Sequence, residues 1–164
     1  MKGNPLDSEI LDSYTFKKDK PIFANGGYSV FHGTQKETNL PVTIRVLKQF
    51  HLELPKYLKK LKECKSEFVI KVYESTSEYG AMIFITERVS YGSLQNALAK
   101  CERLDDNDAI YVAKTILNGH IDLLRSDCNW FGNEEDIEIT DTGIKLSWNN
   151  GIGYNLVNPF PKII

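Results

Sequence analysis

The stretch that constrains the fold most is residues 40–48, which read Leu-Pro-Val-Thr-Ile-Arg-Val-Leu-Lys. Its β-branched, alternating residues predict a central strand. Because side chains alternate between the two faces of a strand, Arg45 shares a face with Thr43 and Leu47. A long cation on the inward face of a small sheet needs an anion to meet it. We therefore expect Arg45 to be buried and paired.

Strand-like runs surround this stretch on both sides. A glycine-containing turn at residues 25–27 separates residues 22–23 from residues 30–31, which predicts a hairpin. Further strands are predicted at residues 14–16, at an edge of the sheet, and at residues 68–73 and 81–86. The first half of the chain therefore predicts a β-meander.

Three later segments carry the apolar period of packed helices. The first runs from Leu54 to Cys64, with Pro55 in its first turn, and the second is a short helix capped by Ser93. The third runs from Asp108 to about Leu124. Its expected buried residues are Ala109, Val112, Ala113, Ile116, Leu117 and Leu124. Residues 137–140 and 144–147 then flank a short turn and predict a closing hairpin.

The composition indicates one domain with no affinity for nucleic acid or membrane. The chain has 164 residues, a formal net charge of −2 and an isoelectric point near 5.9, which argues against attraction to either polyanion. Lysines between Lys56 and Lys71 are interrupted by glutamates and indicate a solvated helix face. Neither a signal peptide nor a transmembrane helix is expected. Three cysteines without a C-x-x-C spacing indicate a cytoplasmic protein with reduced thiols, two of them facing the core.

The order of these elements resembles that of a protein kinase. Residues 42–45, Val-Thr-Ile-Arg, stand where kinases carry V-A-I-K on their third strand. Residues 83–94 are similar to the kinase hinge, and residues 144–147 to the strand that leads into D-F-G. The resemblance covers about residues 16–151. It is nearest to tyrosine-kinase-like members, including the pseudokinase domains of Janus kinases and necroptosis pseudokinases.

This resemblance implies an α+β, protein kinase-like fold. A lead-in at residues 1–15 would precede a five-stranded antiparallel N-lobe with helix αC at residues 16–90. A truncated helical C-lobe would follow at residues 91–164.

The residues at the kinase nucleotide-binding positions depart from the family pattern. With Val30 as the register, the three glycine positions of the phosphate loop carry other residues, so that Gly26 and Gly27 only form the turn. The lysine position carries Arg45, which is not an equivalent phosphate ligand. We expect Arg45 either to pair with Glu53, at the start of the first helix, or to occupy the phosphate space itself.

The resemblance also assigns residues of this chain to the kinase hinge and to the kinase catalytic positions. Thr86 and Glu87 keep a hinge whose backbone could accept an adenine ring. The catalytic base position is Phe131, which accepts no proton, and the D-F-G aspartate position is Trp148. These aromatics either fill the cleft or pack in the core. Asp136, at the asparagine position, either ligates a metal or is solvated in an acidic cluster.

The missing kinase residues together predict a catalytically inactive pseudokinase without cofactor or metal, because several charge-stabilising groups are absent at once. It would act as a protein-binding or regulatory module in signalling. The alternatives are a divergent ATP-binding kinase that uses Arg45 and Asp136, and a kinase fragment without function.

A protein partner is also expected, because the apolar side of the third helix would be only partly covered by the hairpin and the tail. Another kinase domain is one candidate partner, and self-association is a second way to cover this side. In a third arrangement the last residues, including Phe160, Ile163 and Ile164, fold back as a lid.

Overall fold

The computed structural model describes residues 3–50, 52–101, 103–129 and 134–147. In these ranges the chain forms nine β-strands and three α-helices. The strands are β1 (Tyr14–Phe16), β2 (Phe23–Asn25), β3 (Tyr28–Gln35), β4 (Pro41–Leu47), β5 (Val72–Glu78), β6 (Ala81–Glu87), β7 (Val89–Ser93), β8 (Ile137–Thr140) and β9 (Gly143–Leu146). The helices are α1 (Leu54–Glu63), α2 (Leu94–Leu98) and α3 (Asp106–Arg125).

Strand β4 lies at the centre of a six-stranded antiparallel sheet. The main path of the sheet is β1-β3-β4-β6-β5, and β2 also pairs with β3. In this sheet Arg45 lies between Val30 of β3 and Phe84 of β6. The predictions of a central strand at residues 40–48, a hairpin around residues 25–27 and an edge strand at residues 14–16 are confirmed.

Both faces of this sheet are covered, which explains why β4 is buried at every position from Val42 to Val46. Val42, Ile44 and Val46 pack in one apolar cluster with residues of β1, β3 and β6. On the other face, Phe84 belongs to a second cluster that includes Leu58 of α1. Each fully buried aliphatic or aromatic side chain contributes about 1.5–3 kcal/mol relative to an exposed one. These two clusters therefore hold the sheet and α1 together.

The three helices lie close to their predicted positions. Pro55 is in the first turn of α1, and α3 begins at Asp106, two residues before the predicted start. Ser93 caps α2 and Asp105 caps α3, each by accepting a hydrogen bond from the amide three residues on. Such caps satisfy amide groups that have no partner within the first helical turn. None of the α-helices in the described ranges combines the length and the hydropathy needed to cross a membrane.

Strands β7, β8 and β9 form a second, three-stranded antiparallel sheet. Strands β8 and β9 are the predicted closing hairpin. Backbone hydrogen bonds connect this sheet to the residues that precede β5. The Ile70 amide donates to the Leu146 carbonyl at 2.8 Å, and the Leu146 amide donates to the Phe68 carbonyl at 2.8 Å. The second sheet is therefore attached to the first half of the chain.

The predicted fold class is wrong for the described residues. We expected a kinase-like, five-stranded N-lobe with one helix, followed by a helical lobe. The first half instead forms six paired strands, and the second half contributes a three-stranded sheet beside α2 and α3. The residues after β6, expected as a hinge and a loop, are strand β7, whose Val89 and Ser93 pair with β8. The predicted boundaries between the lead-in and the two lobes, at residues 15 and 90, stay predictions.

One local prediction also fails, and a second one holds only in part. The strand predicted at residues 68–73 lies later, at β5, because Val69 forms a parallel bridge to Leu146 of β9 instead. In α3 the expected burial holds for Val112, which is buried, and for Ile116, which packs against the core. The other four expected core residues are exposed, namely Ala109, Ala113, Leu117 and Leu124. The buried residues are Val112, Thr115, Gly119 and Leu123. Apolar period alone therefore assigned residues of the exposed side of this helix to the core together with residues of the buried side.

Candidate functional site

Arg45 is the central residue of the candidate site. It is only 1% exposed, although its guanidinium is always charged. Nη1 donates to Oγ1 of Thr86 at 2.5 Å, and Nη2 lies 2.5 Å from Oε1 of Glu138. Thr86 is on the neighbouring strand β6, whereas Glu138 is on β8 in the other sheet. Arg45 therefore connects the two sheets.

The surroundings of Arg45 keep its charge and balance it. Burial by itself lowers the pKa of the guanidinium, because a buried charge loses its hydration. The negative charge of Glu138, its hydrogen bond and the nearby Tyr28 hydroxyl together more than offset this effect, so that the pKa of Arg45 lies above its usual value. The ring centre of Phe84 is 5.8 Å from the guanidinium carbon, which adds a cation–π contact. The positive charge is thus neutralised inside the protein.

The carboxylate that meets Arg45 is not the expected one. Glu53 precedes α1, and its side chain is 59% exposed with Oε2 3.9 Å from Nζ of Lys56. Since Arg45 is buried between the sheets, its carboxylate comes from Glu138, 93 residues later in the chain. The prediction of a pair with Glu53 is wrong, and the prediction that Arg45 is buried and paired is confirmed.

Glu138 is a site residue that its local sequence does not reveal. The alternation of Ile137, Glu138 and Ile139 predicts a strand with Glu138 on the opposite face from its apolar neighbours. That pattern normally indicates a solvent-facing carboxylate, yet the side chain of Glu138 is only 16% exposed. A buried arginine elsewhere in the chain was the one available signal, because a buried cation requires a buried anion.

Thr86 and Glu87, the predicted hinge residues, lie at the end of β6. The Thr86 hydroxyl accepts from Arg45 and donates to the Glu87 carbonyl at 3.0 Å. The Glu87 carboxylate accepts from the Lys71 amide at 2.8 Å and from the Thr142 hydroxyl at 3.2 Å. The Glu87 amide also donates to the Lys71 carbonyl at 2.9 Å. These two residues therefore link β6 to the start of β5 and to the β8–β9 turn.

The structure brings Val30 beside Arg45 and leaves Gly26 and Gly27 at the hairpin tip. Val30 is buried and lies opposite Arg45 in the β3–β4 pair. The Asn25 side chain accepts a hydrogen bond from the Gly27 amide at 3.1 Å, which fixes the turn. Neither glycine has a left-handed φ, and a Cβ built on either one meets no described atom within 4 Å. The backbone of this turn therefore does not require glycine.

Asp136 closes a short 3-10 turn (Glu134–Asp136) immediately before β8, and it is buried. Its carbonyl accepts a hydrogen bond from the Ser147 amide at 2.8 Å. In the described part of the chain, no three His, Cys, Asp or Glu side chains are grouped as metal ligands would be. Phe131 and Trp148, the other predicted catalytic-loop and metal positions, lie outside the described residues.

Comparison with known proteins shows a distant sequence relation. The chain is 27% identical over 118 residues to serine/threonine-protein kinase pakE of Dictyostelium discoideum. The chain is distantly similar to a kinase. The match covers 68% of this chain and only 12% of that much longer kinase. No family model matches the chain. The comparison supports a distant relation to kinases and no finer assignment.

Proposed function

We propose that this chain is a kinase-related protein that does not transfer phosphate and acts as a protein-binding, regulatory module. The distant similarity to a serine/threonine kinase supports the kinase relation. The observation that carries the loss of activity is the burial of Arg45 against Glu138. In kinases the cation at the corresponding position must be free to meet the nucleotide phosphates.

The two partners of Arg45 oppose phosphate binding at this position. A phosphate would have to displace the Glu138 carboxylate, 2.5 Å away, from an arginine whose side chain is only 2% exposed. Removing one member from a buried ion pair costs about 3–5 kcal/mol, because the other charge is left without its partner. A phosphate contact at Arg45 would have to offset that loss before it contributed any affinity. The pair therefore disfavours nucleotide binding at this position.

The test of inactivity is phosphate transfer by the purified chain. We expect no incorporation from radiolabelled ATP with Mg²⁺ into the chain itself or into a general protein substrate. The Arg45→Lys variant serves as the matched control, and it is expected to stay inactive because the other kinase positions are also changed. Clear incorporation by the wild-type chain would overturn the proposal.

A thermal unfolding series with ATP and Mg²⁺ tests nucleotide binding separately. A ligand at 100 times its dissociation constant stabilises a protein by about 2.7 kcal/mol. We expect no such stabilisation at millimolar ATP. If Mg²⁺-ATP stabilised the wild type but not an Asp136→Asn variant, the result would favour the divergent ATP-binding kinase instead.

The binding role needs its own experiment. Affinity capture from the native host, followed by identification of the retained proteins, should recover a specific signalling protein, for which another kinase domain is one candidate. Capture of chaperones alone would contradict a binding role.

A further inference from the structure

Helix α3 presents a continuous apolar surface on the side that faces away from the core. We call it the α3 stripe. It consists of Ile110, Ala113, Leu117, Ile121 and Leu124, all exposed, and its four large side chains are between 45% and 64% exposed. Such a row on a helix surface is typical of helix–helix contacts. The stripe extends for about 21 Å along the helix, at 1.5 Å per residue.

The opposite side of α3 is already occupied, so the stripe is a second surface and not a misplaced core. Val112, Thr115 and Leu123 are buried on that opposite side. Gly119 lies so close to β9 that an added Cβ would be 2.7 Å from Cδ1 of Leu146. Rotating the helix to bury the stripe would break this close contact. The stripe therefore has to be covered from outside the described fold or remain exposed.

The spacing of the stripe is symmetric about Leu117. Its members follow one another at intervals of three, four, four and three residues. If a second copy of α3 runs antiparallel, Ile110 faces Leu124 of the other copy, Ala113 faces Ile121, and Leu117 faces itself. A two-fold symmetric interface needs such a self-complementary surface. Ala113, the one small member of the stripe, faces the larger Ile121 of the other copy, so that the two helices can pack closely there.

The charges at the two ends of the stripe favour the same antiparallel arrangement. Asp106 lies on the stripe one turn before Ile110, and Arg125 follows Leu124 at the other end. Antiparallel pairing brings Asp106 of one copy near Arg125 of the other, and it also opposes the two helix dipoles. Arg125 lies 3.3 Å from Asp122 in its own helix and is well exposed, so it can reach both carboxylates. Parallel pairing would instead place the two Asp106 side chains together.

We propose that the α3 stripe is an antiparallel, two-fold symmetric contact between two copies of this chain, with Leu117 on the axis. The contact involves one helix from each copy, so its area lies at the low end for protein interfaces. The dimer is therefore weak, with a dissociation constant in the micromolar range or above. This inference does not depend on the loss of kinase activity, because no residue of the Arg45 site takes part.

Sedimentation equilibrium over a range of concentrations tests the association. The wild type should shift from monomer to dimer between about 1 and 500 µM. Leu117→Asp should weaken the association at least tenfold, because it places two carboxylates together on the axis. Leu52→Asp is the matched control, since Leu52 is 89% exposed and lies outside the stripe. It should dimerise like the wild type, with both variants giving the same circular dichroism spectrum.

Cysteine cross-linking tests the orientation. The background carries Cys101→Ser, because Cys101 is the exposed native thiol among the described residues. Diamide, which oxidises two thiols to one disulfide, should link Leu117→Cys to itself in high yield. Ile110→Cys should not link to itself, but it should link to Leu124→Cys when the two variants are mixed.

Several results would overturn the proposal. One is a wild type that stays monomeric at all concentrations, and another is a dimer that Leu117→Asp does not weaken. Self-linking of Ile110→Cys without linking to Leu124→Cys would indicate parallel pairing and would also refute it. If Phe160→Asp converted a monomeric wild type into a dimer, the last residues of the chain would be the occupant of the stripe, and the proposal would fail.

Discussion

Arg45 of β4 and Glu138 of β8 form an ion pair between the two sheets, with Nη2 2.5 Å from Oε1. Both side chains are largely buried, at 2% and 16% exposure. A one-residue shift of β8 would move Glu138 to the other face of its strand and leave the arginine unpaired. The pair therefore selects the register in which the second sheet docks on the first.

Replacing Glu138 with Gln is expected to reduce the free energy of unfolding by about 3–5 kcal/mol, because the Arg45 charge stays buried without its carboxylate. Urea unfolding followed by circular dichroism measures this change. The Arg45→Met/Glu138→Leu double variant is the control and should be more stable than Glu138→Gln, since no charge remains buried. A loss below about 1 kcal/mol for Glu138→Gln would mean that solvent screens the pair.

Replacing Gly119 with Ala should destabilise the protein, although alanine favours a helix by about 1 kcal/mol over glycine. The added Cβ would approach Cδ1 of Leu146 to 2.7 Å and the Phe68 carbonyl to 3.2 Å. Leu146 is fully buried, so its side chain has little free space into which to move. We expect a net loss of about 1–3 kcal/mol from this overpacking, measured by urea unfolding.

The matched glycine control is Gly26→Ala in the β2–β3 turn. This position has neither a left-handed φ nor a described atom near the added Cβ. The substitution should be neutral or stabilise by up to about 1 kcal/mol, because alanine restricts the unfolded chain. A larger loss at Gly26 than at Gly119 would contradict the packing of α3 on β9.

Cysteine alkylation should separate the three thiols of the folded protein. Cys101 is exposed, Cys64 is half-buried and Cys128 is buried, which agrees with the predicted two core-facing cysteines. Burial raises the pKa of the Cys128 thiol to about 11. At pH 8 its thiolate fraction is then about a hundredfold or more below that of a free cysteine, and the thiolate is the reactive form.

Iodoacetamide labelling followed by mass spectrometry checks this expectation. Cys101 should be modified first and Cys128 last. In urea all three should react at similar rates, which is the control for intrinsic reactivity. Rapid modification of Cys128 in the folded chain would show that the end of α3 is not packed as described.

The pH dependence of stability should include a contribution from His32. Its Nε2 donates to the Val89 carbonyl at 3.0 Å. Burial, and next the charge of Arg88, lower the pKa of His32 below its usual value. The unfolded chain therefore binds a proton near pH 6.5 while the folded chain does not. The stabilising contribution is complete above about pH 6.5 and decreases as the pH falls towards the folded pKa.

A His32→Gln variant isolates this contribution, because the glutamine amide can still donate to Val89 without titrating. Urea unfolding at pH 7.5, 6.5 and 5.5 should show a steeper loss of stability on acidification for the wild type than for the variant. Equal slopes would mean that His32 titrates alike in the folded and unfolded chains.

Local signals in the sequence were enough to predict much of the fold. The strand containing Arg45, the hairpin at Gly26 and Gly27, the cap at Ser93 and the β8–β9 hairpin all depend on residues a few positions apart. Patterns of alternation, turn residues and capping report such short-range structure directly. These predictions are therefore correct to within a few residues.

The predictions that fail concern residues whose contact partners are distant in the sequence. The partner of Arg45 is 93 residues away, and the segment around Val69 pairs with Leu146 rather than with its own neighbours. In α3, two rows of residues lie on opposite sides, and the buried row includes the small residues Thr115 and Gly119. Their small size allows close approach to β9, whereas hydrophobicity alone also favours bulky residues of the row that remains exposed.

Only Arg88 lies between β6 and β7, so a single residue carries the chain from one sheet into the other. The Arg88 side chain donates a hydrogen bond to the Gly33 carbonyl at 3.2 Å. The backbone amide of the following residue, Val89, donates to the Thr43 hydroxyl at 3.0 Å. A hinge motion between the sheets would need rotation about these few bonds and the loss of both contacts. The two sheets should consequently move as one rigid unit and melt together in a single cooperative transition.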